Sequence, residues 1–220
     1  KVLQDLYEDE ENKPEKKIIK MQMESSIYSR LKHPAITKFY GVCPYDFDNE
    51  PYPTLILEYI TKGSLHSLIQ SARNGNPLPP KWNHTKILIN IYGVASSVAF
   101  MHANNIIYRD LKPLNVLLDD NYYPKLTDFG TAKRISNENQ ENTANVGSPL
   151  FMAPEVLTDN KFYTTAVDVY SFAMLVYEVV TNEIPFSNIK NLNIKALFSQ
   201  VLKGKRPQFK KPIPKCYKDL

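Results

Sequence analysis

The stretch IIYRDLKPLNVLLDD, residues 106–120, sets an acid, a basic amine and an amide between apolar runs. Asp110, Lys112 and Asn115 are flanked by Ile106 and Ile107 on one side and by Val116, Leu117 and Leu118 on the other. Such flanks call for burial, and a buried charge is expensive unless it is paired or used. Two arrangements meet that cost: a salt-bridged turn inside a core, or a site that offers its polar groups to a ligand. The spacing of further groups bears on the choice. Asp128 follows Asn115 by thirteen residues and opens Asp128-Phe129-Gly130. Ala153-Pro154-Glu155 closes the polar stretch begun there, and an apolar segment containing Asp168 comes next. Each piece alone is common; their order and spacing carry the signal.

The elements that must hold these groups are legible from periodicity. Ile19, Met23, Ile27 and Leu31 recur every four residues, which predicts a helix over about 17–32 with those residues on its buried face. His33-Pro34 stops it, because a residue before proline avoids the helical region. AITKFYGVC (35–43) and TLILEYI (54–60) predict strands, joined by the proline-rich PYDFDNEPYP loop. Ser64 is placed to cap a helix through Ala72, with Gly75 just past its end. Ile87, Ile91, Val94, Val98 and Met101 mark one face of a helix over 85–104. KLTD (125–128) predicts another strand, and 165–180 a helix apolar nearly all round. Residues 136–147, SNENQENTANVG, and the charged YEDEENKPEKK (7–17) predict solvated, mobile chain. The order is a small sheet-plus-helix part, a short connector and a mostly helical part, with a cleft between two such lobes as a natural small-molecule site.

Bulk properties narrow the field. A net charge of +4 with scattered lysines does not point to nucleic acid. The nearly apolar run 169–180 is too short to span a bilayer and contains Glu178, so no membrane insertion is expected from it. Cys43 and Cys216 lack neighbours at ligand spacing and predict free thiols in a reducing, cytoplasmic setting. No feature speaks to oligomeric state.

The ordered set YRDLKPLN, DFG, GSPLFMAPE, the connector LEYITKGSL and the helix segment DVYSF resembles the eukaryotic protein kinases over essentially the whole chain. The resemblance implies an α+β, two-lobed fold: a small lobe over 1–57, a hinge over 58–63 and a larger helical lobe over 64–220. It implies a serine/threonine kinase that uses ATP and Mg²⁺ on a protein substrate, since Lys112-Pro113 follows the acid and Ser148 stands before the APE segment. GVCP and EYITKGSL resemble the tyrosine-kinase-like branch of that class. Residue by residue, the resemblance implies that Asp110 orients the substrate hydroxyl and accepts its proton. Lys112 contacts the transferring phosphate, and Asn115 and Asp128 hold the metal. Leu57 gates the adenine pocket, the backbone of Glu58 and Ile60 meets the base, and Leu117 contributes to the pocket floor. Glu24 pairs with the ATP-contacting lysine. Lys1, followed by Val2-Leu3, resembles the end of the strand that carries that lysine; Lys13, Lys16, Lys17 and Lys20 are the other cations near Glu24. Asp168 ties down the catalytic-loop backbone, and Glu155 pairs with an arginine expected beyond Leu220.

Three features depart from the pattern or extend it. Tyr108 stands where the family usually has histidine; its ring is expected to pack on Phe129, with Tyr28 and Phe39 continuing the stack. Arg109 precedes the acid, so activation-loop phosphorylation is expected, with Thr143 as first acceptor and Ser136 as second. No glycine precedes Gly41, so the glycine-rich loop and the C-terminal helices are expected to lie outside these residues. The missing loop, the assignment of Lys1 and Tyr108 motivate a second reading, a catalytically inactive kinase-like binding scaffold. A small-molecule kinase on a related fold fits less well, because the APE segment goes with peptide substrates in the family.

Overall fold

The computed structural model describes residues 14–50, 52–135, 147–158, 164–189 and 193–218. Helix α1, Pro14–Arg30, begins on a proline, which the first helical turn tolerates because its N–H has no intrahelical partner there. Its buried stripe is Met21, Glu24, Ile27 and Tyr28, continued by Leu31 just past its end. This corrects the expected face: Ile19 and Met23 are 55% and 57% exposed, and only Ile27 and Leu31 of the predicted set turn inward. The stripe repeats at three and four residues, as a 3.6-residue helix requires, so an every-four pattern drifts off the face.

Strands β1, Phe39–Cys43, and β2, Thr54–Leu57, pair antiparallel with an irregularity between Phe39 and Gly41. Both are shorter than predicted. Residues 35–37 leave the strand pattern to strap α1's exit onto strand β5 (Pro124–Leu126): Leu126 N–H donates to Ala35 C=O at 2.7 Å, and Thr37 N–H donates to Leu126 C=O at 2.9 Å. At the end of β2, Glu58 turns its carboxylate onto Lys38 N–H (2.7 Å) and Lys125 (3.3 Å). A second strap follows: Leu118 N–H donates to Gly63 C=O at 2.9 Å, tying the connector after β2 to strand β4 (Val116–Leu118). Gly63 has φ +72°, which its lack of a side chain permits.

Helix α2, Leu65–Arg73, starts on a capping box in which the Ser64 and Ser67 side chains each bond the other's backbone. Helix α3, His84–Ala103, turns Val94, Val98 and Met101 into the core together with Asn90 and Ser97. It is long and apolar enough by composition to cross a membrane; here it packs against β5 and helix α4 (Ala166–Thr181). Strand β3, Ile106–Ile107, pairs with β6, Lys133–Arg134, and β4 pairs with β5. Helices α5, Ile194–Leu202, and α6, Lys215–Lys218, follow. As expected of its composition, α4 is buried over much of its surface, although Val169 is 54% exposed. Its buried Glu178 meets Arg73 of α2 at 3.0 Å. The main core joins α1, β4, β5, α2 and α3, and the candidate site lies along its edge.

Candidate active site

The segment from Tyr108 to Asn115 lies between β3 and β4 and is fixed from below by one carboxylate. Asp168, fully buried near the start of α4, accepts from Tyr108 N–H, Arg109 N–H and the His102 ring nitrogen Nε2, each at 2.8 Å. These bonds hold Arg109 at φ +72°, a left-handed conformation that costs energy for a side chain with a Cβ. The next side chain, Asp110, enters a polar cluster.

In that cluster one Asp110 oxygen, Oδ2, accepts from Lys112 Nζ at 2.7 Å and from Asn115 Nδ2 at 3.0 Å. The other, Oδ1, accepts from Ser148 Oγ at 3.0 Å, and Lys112 Nζ also donates to Ser148 Oγ at 2.7 Å. Asn115 Nδ2 further bonds the Asp110 carbonyl at 2.9 Å. The Asp110 and Lys112 side chains are 12% and 19% exposed, so the pair is shielded without being sealed off. Gly147 makes this closure possible. A Cβ there would stand 2.7 Å from the Arg109 carbonyl, and its φ of +119° suits only glycine.

Asn115 and Asp128 lie at adjacent ends of the β4–β5 ladder. Val116 pairs with Leu126, and one step beyond it Thr127 N–H donates to Asn115 C=O at 3.0 Å. The strand predicted over 125–128 therefore stops at Leu126, and Asp128 leaves it with φ +59°. Its N–H donates to Tyr28 Oη at 3.1 Å, which anchors it to α1. An amide oxygen and a carboxylate at adjacent strand ends are hard ligands of the kind Mg²⁺ takes when phosphates complete its shell. Among the described residues no cluster of three or more His, Cys, Asp or Glu could hold a metal ion by itself.

The aromatic column is continuous. Tyr108 meets Phe129 edge-on with ring centres 5.4 Å apart, Phe129 meets Tyr28 at 4.6 Å, and Tyr28 stacks on Phe39 at 5.7 Å. Tyr108 also donates its hydroxyl to the Thr127 carbonyl. Burial, the largest cause, pushes both tyrosine hydroxyls above their ordinary range, so both stay neutral hydrogen-bonding groups.

The remaining predicted residues fall as follows. Glu24 is buried on α1, one turn before Tyr28. Leu57 ends β2 and packs on the main core; Glu58 and Ile60 lie just after it, half-buried. Leu117 of β4 bridges to Ser64 and so lies beside the end of the connector. Glu155 sits in a 3₁₀ turn, Pro154–Val156; burial pushes the nearby Tyr170 hydroxyl up, the Arg206 charge opposes that shift and the Glu155 charge adds to it. Lys1, Ser136 and Thr143 lie outside the described residues. Sequence reasoning missed His102, Gly147 and the Tyr28 hydroxyl bond. A histidine in the last turn of α3 was the one visible signal for the first; the other two depend on contacts between distant segments.

The protein kinase domain family model matches residues 4–219. Similar proteins include the dual specificity protein kinase shkB of Dictyostelium discoideum, 30% identical over 90% of this chain and 29% of that protein. Mitogen-activated protein kinase kinase kinase 13-A of Xenopus laevis is 35% identical over 79% of this chain and 17% of its own length. The serine/threonine-protein kinase STY17 of Arabidopsis thaliana is 32% identical over 90% of this chain and 33% of that protein. The chain belongs to the protein kinase domain family, whose members generally use ATP and Mg²⁺. It spans a third or less of the length of each of these relatives, and the matched range begins after Lys1.

Proposed function

We propose that the chain carries the catalytic centre of an ATP- and Mg²⁺-dependent serine/threonine protein kinase that works inside the cell on protein substrates. One observation carries the reading: the Asp110 carboxylate is gathered with Lys112, Asn115 and Ser148 into a single shielded cluster, on a loop that Asp168 holds in a strained turn. A salt-bridged core turn would explain the Asp110–Lys112 pair. It gives no reason to add a strained backbone and a serine from a segment 36 residues away from Lys112.

Phosphoryl transfer asks the protein for placement and charge neutralisation more than for covalent chemistry. Asp110 orients the substrate hydroxyl and takes its proton. Lys112, already within 2.7 Å of both Asp110 and Ser148, supplies a positive charge beside the transferring phosphoryl group. Asn115 and Asp128 would hold Mg²⁺, which neutralises charge on the phosphates when bound. Glu24 positions the ATP lysine, for which Lys1 is the candidate. The backbone of Glu58 and Ile60 meets the adenine between Leu57 and Leu117. Ser148 marks serine and threonine as the acceptors, and phosphorylation of Thr143 or Ser136 would bring a charge to Arg109 that orders the loop. Tyr108 in place of histidine preserves the column on Phe129, so it does not favour an inactive scaffold.

The test is transfer of labelled phosphate from ATP to a mixed protein substrate by the full-length protein and its Asp110→Asn variant. Loss of a general base lowers the rate by about 10²–10⁴, and acid hydrolysis of the product is expected to give phosphoserine and phosphothreonine. Equal rates for the two proteins would reject the assignment; phosphotyrosine alone would reject the acceptor class.

A further inference from the structure

Helix α1 carries two stripes. One, through Met21, Glu24, Ile27 and Tyr28, enters the core. The other runs through Ile19, Met23 and Arg30 and shares Ile27 with the first, at the three- and four-residue spacing that places side chains on one face. This second stripe forms one wall of a cavity of about 550 Å³, whose opposite wall is β6 and the end of α3. The candidate active site uses none of these residues.

The cavity has an apolar floor and a cationic rim. Ile27, Ile106 and Ala132 at its base are 8%, 2% and 6% exposed, while Ile19 and Met23 stand half-exposed above them. Arg30 comes from α1, and Lys133 and Arg134 from β6, so positive charge stands on both walls. The other lining groups are neutral, and no carboxylate is among them. Arg30 and Arg134 are exposed and have no ion-pair partner among the described residues. Lys133 is held below the ordinary lysine range, first by partial burial and then by the Arg109 charge. A groove built this way repels cations and rewards an anion that also brings apolar surface.

We propose that this groove docks an acidic, apolar peptide segment of a partner protein, its apolar side chains seated on Met23 and Ile27 and its carboxylates on Arg30 and Arg134. Charge complementarity identifies the occupant as acidic, and the exposed isoleucine and methionine require it to be apolar as well. The cations line the two walls of a cleft rather than a flat or convex surface, which favours a peptide over a membrane. The bound segment would join α1, which carries Glu24 and Tyr28, to β6, which leads out of the Phe129 column.

The experiment reads binding and needs no ATP, so it is independent of the proposed kinase activity. The probe is a fluorescein-labelled peptide of about four helical turns with leucine at every third and fourth position and glutamate elsewhere. Fluorescence anisotropy with the full-length protein is expected to show salt-dependent binding. The Arg30→Glu/Arg134→Glu variant should bind at least about tenfold more weakly, as should Met23→Asp. A peptide with lysine in place of glutamate should not bind. A melting temperature equal to the wild type shows that each variant is folded; if the double variant is not, Arg30→Gln and Arg134→Gln taken singly replace it and are expected to lose part of the affinity. No binding of the glutamate peptide, equal binding by wild type and charge variants, or equal binding of the lysine peptide would each overturn the proposal. So would recruitment to phosphatidylserine vesicles without peptide binding.

Discussion

Replacing Asp168 by asparagine removes a charge and one acceptor while keeping the shape. The side chain is completely buried and accepts three bonds at 2.8 Å, two from backbone and one from His102. Whichever way the new amide turns, its NH₂ faces a donor it cannot satisfy. Hydrogen bonds to charged groups contribute about 1.5–3 kcal/mol each, and breaking a buried charged network by removing one partner costs about 3–5 kcal/mol. A loss of about 4 kcal/mol follows. In a domain of this size 1 kcal/mol moves the melting temperature by about 2–4 °C, so the variant should melt about 8–16 °C lower. Phosphate transfer should fall as well, because the same bonds hold Arg109 at φ +72° immediately before Asp110. Differential scanning fluorimetry and a transfer assay below the variant's melting point read the two effects. A melting shift below about 2 °C would refute the view that Asp168 holds the loop.

Other residues make separate tests. Phe129→Ala empties the centre of the aromatic column and should cost about 3–5 kcal/mol in chemical denaturation. Tyr108→Phe keeps that column but strands the Thr127 carbonyl, for about 1–3 kcal/mol; equal stability of Tyr108→Phe and wild type would deny the hydroxyl bond a structural role. Gly147→Ala puts a methyl group against the Arg109 carbonyl and a strained φ on alanine, so it should lower transfer more than Ser148→Ala, which leaves the backbone free. His33 accepts from Ala35 N–H through Nδ1 at 3.2 Å and meets Ser96 through Nε2 at 2.9 Å, and burial lowers its pKa from the ordinary 6.5. The unfolded chain then takes up the proton more readily, so this contribution is complete above pH 6.5 and is lost as pH falls through that range. Melting curves between about pH 7.5 and 5.5 should show His33→Asn with the weaker pH dependence.

Much of the architecture follows from local pattern. The capping serine at 64, the core face of α3 and the buried α4 are each set by residues within one element, where periodicity and capping chemistry are decisive. Strand ends were misplaced because long-range bonds decide them. Residues 35–37 read as strand by composition, yet they bond β5 instead of β2. The face of α1 was misread because Ile19 and Met23 are apolar without being core; on the structure they line a groove. In the site, Asp110, Lys112 and Asn115 stand close in sequence, so their spacing was informative. The roles of His102, Gly147 and the Tyr28 hydroxyl arise where segments far apart in the chain meet, and a single sequence carries no record of that meeting.

In the proposed mechanism two aspartates on neighbouring loops divide the labour, and nucleotide binding measured beside phosphate transfer separates their roles. Asp110→Asn should keep Mg²⁺-dependent ATP affinity and lose transfer by about 10²–10⁴, whereas Asp128→Asn should lose the Mg²⁺-dependent part of ATP binding together with transfer. An Asp110→Asn protein that transfers phosphate at the wild-type rate, or an Asp128→Asn protein that binds Mg²⁺-ATP unchanged, would contradict the account.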